Sequence, residues 1–103
     1  MKVIEVPVTQ QEIDLGIPIS PDDCPLALAC GKKDIHYVYV SEDSTTMGRT
    51  AKDSVVYHHD EVIRDWIEKF DDVRSEEDRQ SIDPITVVYD PETEMAYHVN
   101  ENS

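Results

Sequence analysis

Basic residues are scarce in this chain. Nine Lys and Arg stand against 23 Asp and Glu among 103 residues, a formal charge of -14 with the histidines neutral. Phosphate backbones and anionic membranes repel a surface with more than two acids per base. Direct nucleic-acid or membrane binding is therefore argued against, and a charged partner is expected to be basic. Glycine is sparse too: Gly16, Gly31 and Gly48 are too few and too far apart to build a phosphate-cradling loop. The only cysteines are Cys24 and Cys30. In a helix, six residues turn through about 600° and point the two thiols in different directions, so a disulfide between them is implausible and both read as small buried hydrophobes. The longest nearly apolar run, Cys24 to Cys30, falls far short of the ~20 residues that span a bilayer. The residues after Met1 contain no continuous apolar stretch of the secretory kind, so a soluble intracellular protein is expected.

What is present is enough apolar material for a core, 39% of the residues, in a length that fits one domain over 1–103. Lys2 to Val8 alternate and predict a strand, placed at a sheet edge by Pro7. Thr9-Gln10-Gln11-Glu12 has the form of a capping box and predicts a short helical turn ending at Gly16. Ser20-Pro21-Asp22-Asp23 reads as the start of a second helix, with Ser20 as N-cap and two acids against the positive end, running to Gly31. Ile35 to Val40 and Ser54 to His58 read as two strands of a hairpin, with Ser44 to Arg49 as the loop between them.

Val62, Ile63, Trp66, Ile67 and Phe70 recur at the spacing of one helical face, and Asp60 is placed to cap that helix. Val73 to Ile82 has little apolar content and reads as a solvated connection or short surface helix. Pro84 to Tyr89 and Glu94 to Val99 flank the turn sequence Asp90-Pro91-Glu92-Thr93 and predict a closing hairpin. The expected fold is α+β: a small, mainly antiparallel sheet with two main helices and a short N-terminal helical turn.

The acids of the last long helix are spaced in register. Glu61, Asp65, Glu68 and Asp72 are separated by four, three and four residues, which sets them on one stripe nearly opposite the apolar face. Like charges at that spacing repel by a few tenths of a kcal/mol per pair, so the stripe opposes folding locally. Its members rise by about 4.5 to 6 Å from one to the next, comparable to successive backbone phosphates. A carboxylate row of this kind can occupy a groove built for DNA or RNA, and Glu76, Glu77 and Asp78 extend the negative surface downstream if that segment packs nearby. The alternative is an ordinary solvated helix face.

Other constellations carry less. His58, His59 and Asp60, with His36 and His98, offer ligand types for a transition metal, but adjacent strand residues point to opposite faces and no metal-ligand spacing is present. Cys24 lies near a helix N-terminus, which favours a thiolate, while Asp22 and Asp23 beside it oppose one. No cofactor and no catalytic residue is expected. Tyr37, Tyr39, Tyr57, Tyr89 and Tyr97 are candidate anchors for an apolar protein interface.

Three motifs taken together, Val8-Thr9-Gln10-Gln11-Glu12-Ile13-Asp14-Leu15-Gly16, Cys24-Pro25-Leu26-Ala27-Leu28-Ala29 and Val62 to Asp71, resemble a group of small uncharacterised bacteriophage proteins. Those share a VTQxxIDxG opening, a CPxALA helix and a late FIxxFD helix. The resemblance covers about residues 8 to 72 and carries no assigned activity. It implies a protein that works in the cytoplasm of a host cell, where small acidic phage proteins resemble inhibitors of restriction or CRISPR nucleases and of transcription proteins. The expectation is therefore a non-enzymatic acidic inhibitor that binds a basic host protein surface by mimicking DNA or RNA charge. The alternative is a module binding through aromatic and apolar surface, with acidity serving solubility or high-salt adaptation.

Overall fold

A computed structural model describes residues 3–99; Lys2, at the start of the expected first strand, lies outside them. The alternation there forms β1 (Ile4–Val8), with Val6 and Val8 buried and Glu5 and Pro7 exposed. Thr9 then opens α1 (Gln10–Leu15) through the expected capping box. Glu12 Oε1 accepts from the Thr9 backbone N–H and from Thr9 Oγ1, both at 2.9 Å.

The second helix, α2 (Pro25–Gly31), starts four residues later than the sequence reading places it. Cys24 is the N-cap and Pro25 takes the first helical position. The preceding residues form a turn closed by Cys24 N–H donating to the Ser20 carbonyl at 3.2 Å. A helix begun at Pro21 would set the Pro25 ring against the carbonyl four residues back, whereas at N1 its missing N–H is no loss.

β2 (Tyr37–Val40) and β4 (Ser54–His59) are strands as expected, but they do not pair as a hairpin. The segment read as a loop supplies β3 (Ser44–Gly48), which lies between them and pairs with both. Ser, Thr and Gly resemble turn composition, yet Thr45 and Met47 alternate with half-exposed neighbours and are buried. Gly48 is needed there, because a Cβ would strike the Asp53 carbonyl oxygen.

Asp60 caps α3 (Glu61–Asp71), its Oδ1 accepting from Ile63 N–H at 2.8 Å. Ile63, Ile67 and Phe70 are buried as the periodicity predicts, while Val62 is turned out to 45% exposure. A short α4 (Glu76–Gln80) follows, then β5 (Ile85–Asp90) and β6 (Met95–Val99), which form the expected hairpin.

The six strands make one mixed, mostly antiparallel, curled sheet in the order β1-β5-β6-β4-β3-β2, with β4 and β6 parallel. The fold is α+β. Curling brings both edge strands to α2, which packs against β1 and β2, and Val40 N–H fastens the far edge by donating to the Pro21 carbonyl at 2.7 Å. Registers divide the sheet cleanly. Val6, Val87, Tyr89, Ala96, Tyr57, Met47 and Val40 face the helices in one hydrophobic cluster with Ile13, Leu26, Ile63 and Phe70. The opposite face carries Glu5, Val88, Tyr97, His58, Val56 and Tyr39. No described helix is long and apolar enough to cross a membrane.

Candidate functional site

Helix α3 positions the acidic stripe. Its apolar side is held in the core, and its start is stapled to β6 because Asp60 Oδ2 accepts from His98 N–H at 2.9 Å and lies 3.0 Å from His98 Nδ1. Glu61, Asp65 and Glu68 are consequently exposed on the outer side, and Asp72 follows them at the helix end. Asp65, Glu68 and Asp72 share one shallow hollow, with Lys69 as the single base among them. Glu61 sits in the first turn, where the helix dipole favours an acid. Asp72 is the C-cap, where the dipole opposes one.

A further acid joins the stripe from a different part of the chain. Glu42, in the turn between β2 and β3, meets Glu68; loss of hydration, and then the Glu68 carboxylate, push the Glu42 carboxyl above its ordinary range. Asp43 adds to this crowding, and Arg64 offsets part of it, its Nε lying 3.1 Å from Asp43 Oδ1. Sequence reasoning missed Glu42, for it lies 26 positions from Glu68 and only strand pairing brings the two together.

Glu76, Glu77 and Asp78 occupy the first turn of α4, where they complement its dipole. Asp78 also serves the helix start, since its N–H donates to the capping Ser75 Oγ at 3.1 Å and its Oδ2 accepts from Arg74 N–H at 2.9 Å. Helix α4 packs on α1, and none of its acids lines the hollow on α3.

The histidines diverge. His58 is exposed and His59 is buried, as adjacent strand residues must be. His59 Nδ1 lies 2.9 Å from the Glu42 carbonyl, which can only accept, so Nδ1 carries the proton and Nε2 accepts from Thr45 Oγ1 at 2.6 Å. Thr45 in turn accepts from the Tyr89 hydroxyl at 3.1 Å, and Cys30 Sγ donates to that hydroxyl at 3.9 Å. Every polar group of this buried relay is matched within the protein. Burial pulls the His59 pKa below its usual value, and it pushes the thiols up, Cys24 to about 11 and Cys30 to about 12. Both cysteines are free, buried thiols, so neither is a ready nucleophile. Among the described residues no group of three His, Cys, Asp or Glu converges on a common point.

A groove of about 790 Å³ lies at the strand ends, lined by Pro7, Val62, Trp66, Pro84, His98 and Val99 among others. Trp66 is fixed in its wall by Nε1 donating to the Asp83 carbonyl at 2.7 Å. Of the five tyrosines, Tyr57 and Tyr89 are in the core, packed edge to face at 5.1 Å. Their removal from the set of possible anchors follows from facing the helices. Tyr39 and Tyr97 are exposed on the bare side of the sheet, and Tyr37 is half-buried. No family model matches this chain, and no curated protein or solved structure was found to be similar to it.

Proposed function

We propose that this is a non-enzymatic acidic binding protein whose α3 face occupies a basic, nucleic-acid-binding groove on a host protein. The observation that carries the reading is the shared exposed hollow of Asp65, Glu68 and Asp72 on α3, with Glu42 brought against Glu68 from the β2–β3 turn and Glu61 exposed one turn before Asp65. Like charges gathered from two chain segments cost folding energy, and Asp72 adds an acid at the unfavourable end of the helix. A surface that opposes the fold is retained where a partner repays it. The resemblance of residues 8–72 to bacteriophage proteins supports a bacterial host target, a defence nuclease or transcription protein, and the row of carboxylates stands in for its phosphates. Glu76, Glu77 and Asp78, which lie on α4 outside the α3 hollow, are assigned in this proposal to the outer margin of the binding face.

Such binding is steered by charge, so association is fast and weakens steeply with salt. Replacing Glu61, Asp65, Glu68 and Asp72 by Gln or Asn is expected to weaken target binding at least tenfold at low ionic strength and to flatten its salt dependence, while raising the Tm. Unchanged affinity and unchanged salt dependence in that variant would refute the proposal.

A second reading has one observation in its favour. Six of the ten exposed large hydrophobics among the described residues, Val3, Tyr39, Val56, Met95, Tyr97 and Val99, lie along the uncovered sheet face or its extension. A partner bound there would be held by apolar contact, and its affinity would survive high salt.

A further inference from the structure

The three most exposed large apolar side chains among the described residues are close neighbours in sequence: Ile19 at 76%, Leu15 at 67% and Ile17 at 53%. Leu15 ends α1, and Ile17 and Ile19 stand on the connection from there to α2. An unstructured connection would leave them free to collapse, yet this one is tied at every step. Gly16 is buried against Pro25, where a Cβ would collide with the ring. The Gly16 carbonyl accepts from Arg79 Nη1 at 2.8 Å, Ile17 N–H donates to the Asp23 carbonyl at 2.9 Å, and Ile19 N–H donates to Asp71 Oδ1 at 2.9 Å.

Ile19 also adopts φ 60°. That left-handed backbone is unfavourable for any L side chain and most so for a β-branched one, and glycine would take it freely. Folding alone therefore selects against isoleucine here, since its side chain is in solvent and buries almost nothing. Strain held rigidly beneath an exposed aliphatic group is the signature of a preorganised contact.

We propose that Leu15, Ile17 and Ile19 form an apolar anchor that inserts into a hydrophobic pocket on a protein partner, beside the basic groove taken by α3. The pocket's basic border rests on the acidic-face reading; the anchor itself does not. Asp71, which holds Ile19, ends α3 next to Asp72, so loop and stripe are continuous. Asp14, Asp22 and Asp23 flank the loop and are exposed. A pocket edged with Lys or Arg complements that arrangement, whereas an anionic membrane is repelled by it.

The test places a photoreactive benzophenone side chain at position 15 of the full chain, in lysate of the cells where the protein works, with the same probe at exposed position 93 as control. The protein joined at 15 and not at 93 is then purified and titrated against the wild type, the double substitution Leu15→Ser and Ile17→Ser, and Ile19→Gly. The double substitution is expected to weaken binding by about 30-fold, the effect of a hot-spot residue, with the salt dependence unchanged. Ile19→Gly is expected to raise the Tm and still weaken binding, a pairing that a purely structural isoleucine would not produce. The proposal is overturned if position 15 joins no protein, joins only other copies of this chain, or if the substitutions leave affinity unaltered. It is equally overturned if the wild type floats with phosphatidylglycerol or phosphatidylcholine vesicles and the double variant does not. Should the loop variants weaken binding while the α3 amides leave its salt dependence intact, the anchor stands and the acidic-face reading falls.

Discussion

Glu12 and His59 are both buried ionisable side chains, and they are accommodated in different ways. Burial raises the Glu12 carboxyl, but Lys32 Nζ at 2.6 Å and the Thr9 donors outweigh it and hold the pKa below its ordinary value. His59 is kept neutral instead, between a carbonyl and a hydroxyl. A folded-state pKa that is depressed gives stability that is present above the unfolded value and lost as pH falls towards the folded one. For His59 that loss begins near pH 6.5, and for Glu12 near pH 4.5. Urea unfolding should therefore show stability declining as pH drops from 7.5 to 5.5, and His59→Gln should remove that upper decline while leaving the one below pH 4.5. The capping role of Glu12 was legible from the Thr9-x-x-Glu12 spacing. Its ion pair with Lys32, 20 residues away, was not, because spacing carries no information about which loop folds back.

Helix α1 has six residues and too few internal hydrogen bonds to stand alone. Its C-terminal carbonyls are satisfied from outside: Arg79 Nη1 lies 2.6 Å from the Ile13 carbonyl, 3.2 Å from that of Asp14 and 2.8 Å from that of Gly16. The same guanidinium lies 5.5 Å from the Phe70 ring centre, and Phe70 stacks on Trp66 at 6.1 Å. One side chain thus ties α4 to α1 and α3. Arg79→Ala is expected to cost about 2–3 kcal/mol, the loss of charge-assisted bonds to two partly buried carbonyls and an exposed one. Arg79→Lys should recover little, since an ammonium lacks the planar fork. Denaturant titration measures the cost, and hydrogen exchange should show the α1 amides opening first. Periodicity found α3, alternation found β1, and β-branched or aromatic composition bounded by turn residues found β2, β4, β5 and β6. β3 escaped because Ser44, Thr45 and Thr46 are turn residues by composition, and only pairing on both sides makes them a strand.

A charge of -14 in a body with a radius of gyration of 12.7 Å is a source of self-repulsion. Screening should relieve it, so the Tm is expected to rise between 50 and 500 mM NaCl. The same salt should weaken binding through α3. Opposite responses of folding and binding, measured by calorimetry on one sample series, separate an acidic surface used for binding from one that only keeps the protein dissolved; a parallel response would count against the acidic-face reading.

Composition, helix caps and hydrophobic period are local properties, and they are enough to specify an acidic α+β chain with its stripe of carboxylates on α3. Contacts between distant segments are a different matter, because loop closure brings together residues that no short window contains. The parallel pairing of β4 with β6, the approach of Glu42 to Glu68 and the left-handed Ile19 pinned by Asp71 all arise there. Each depends on how a curled sheet sets its edges and turns against the helices, and that geometry exists only once the whole core is packed.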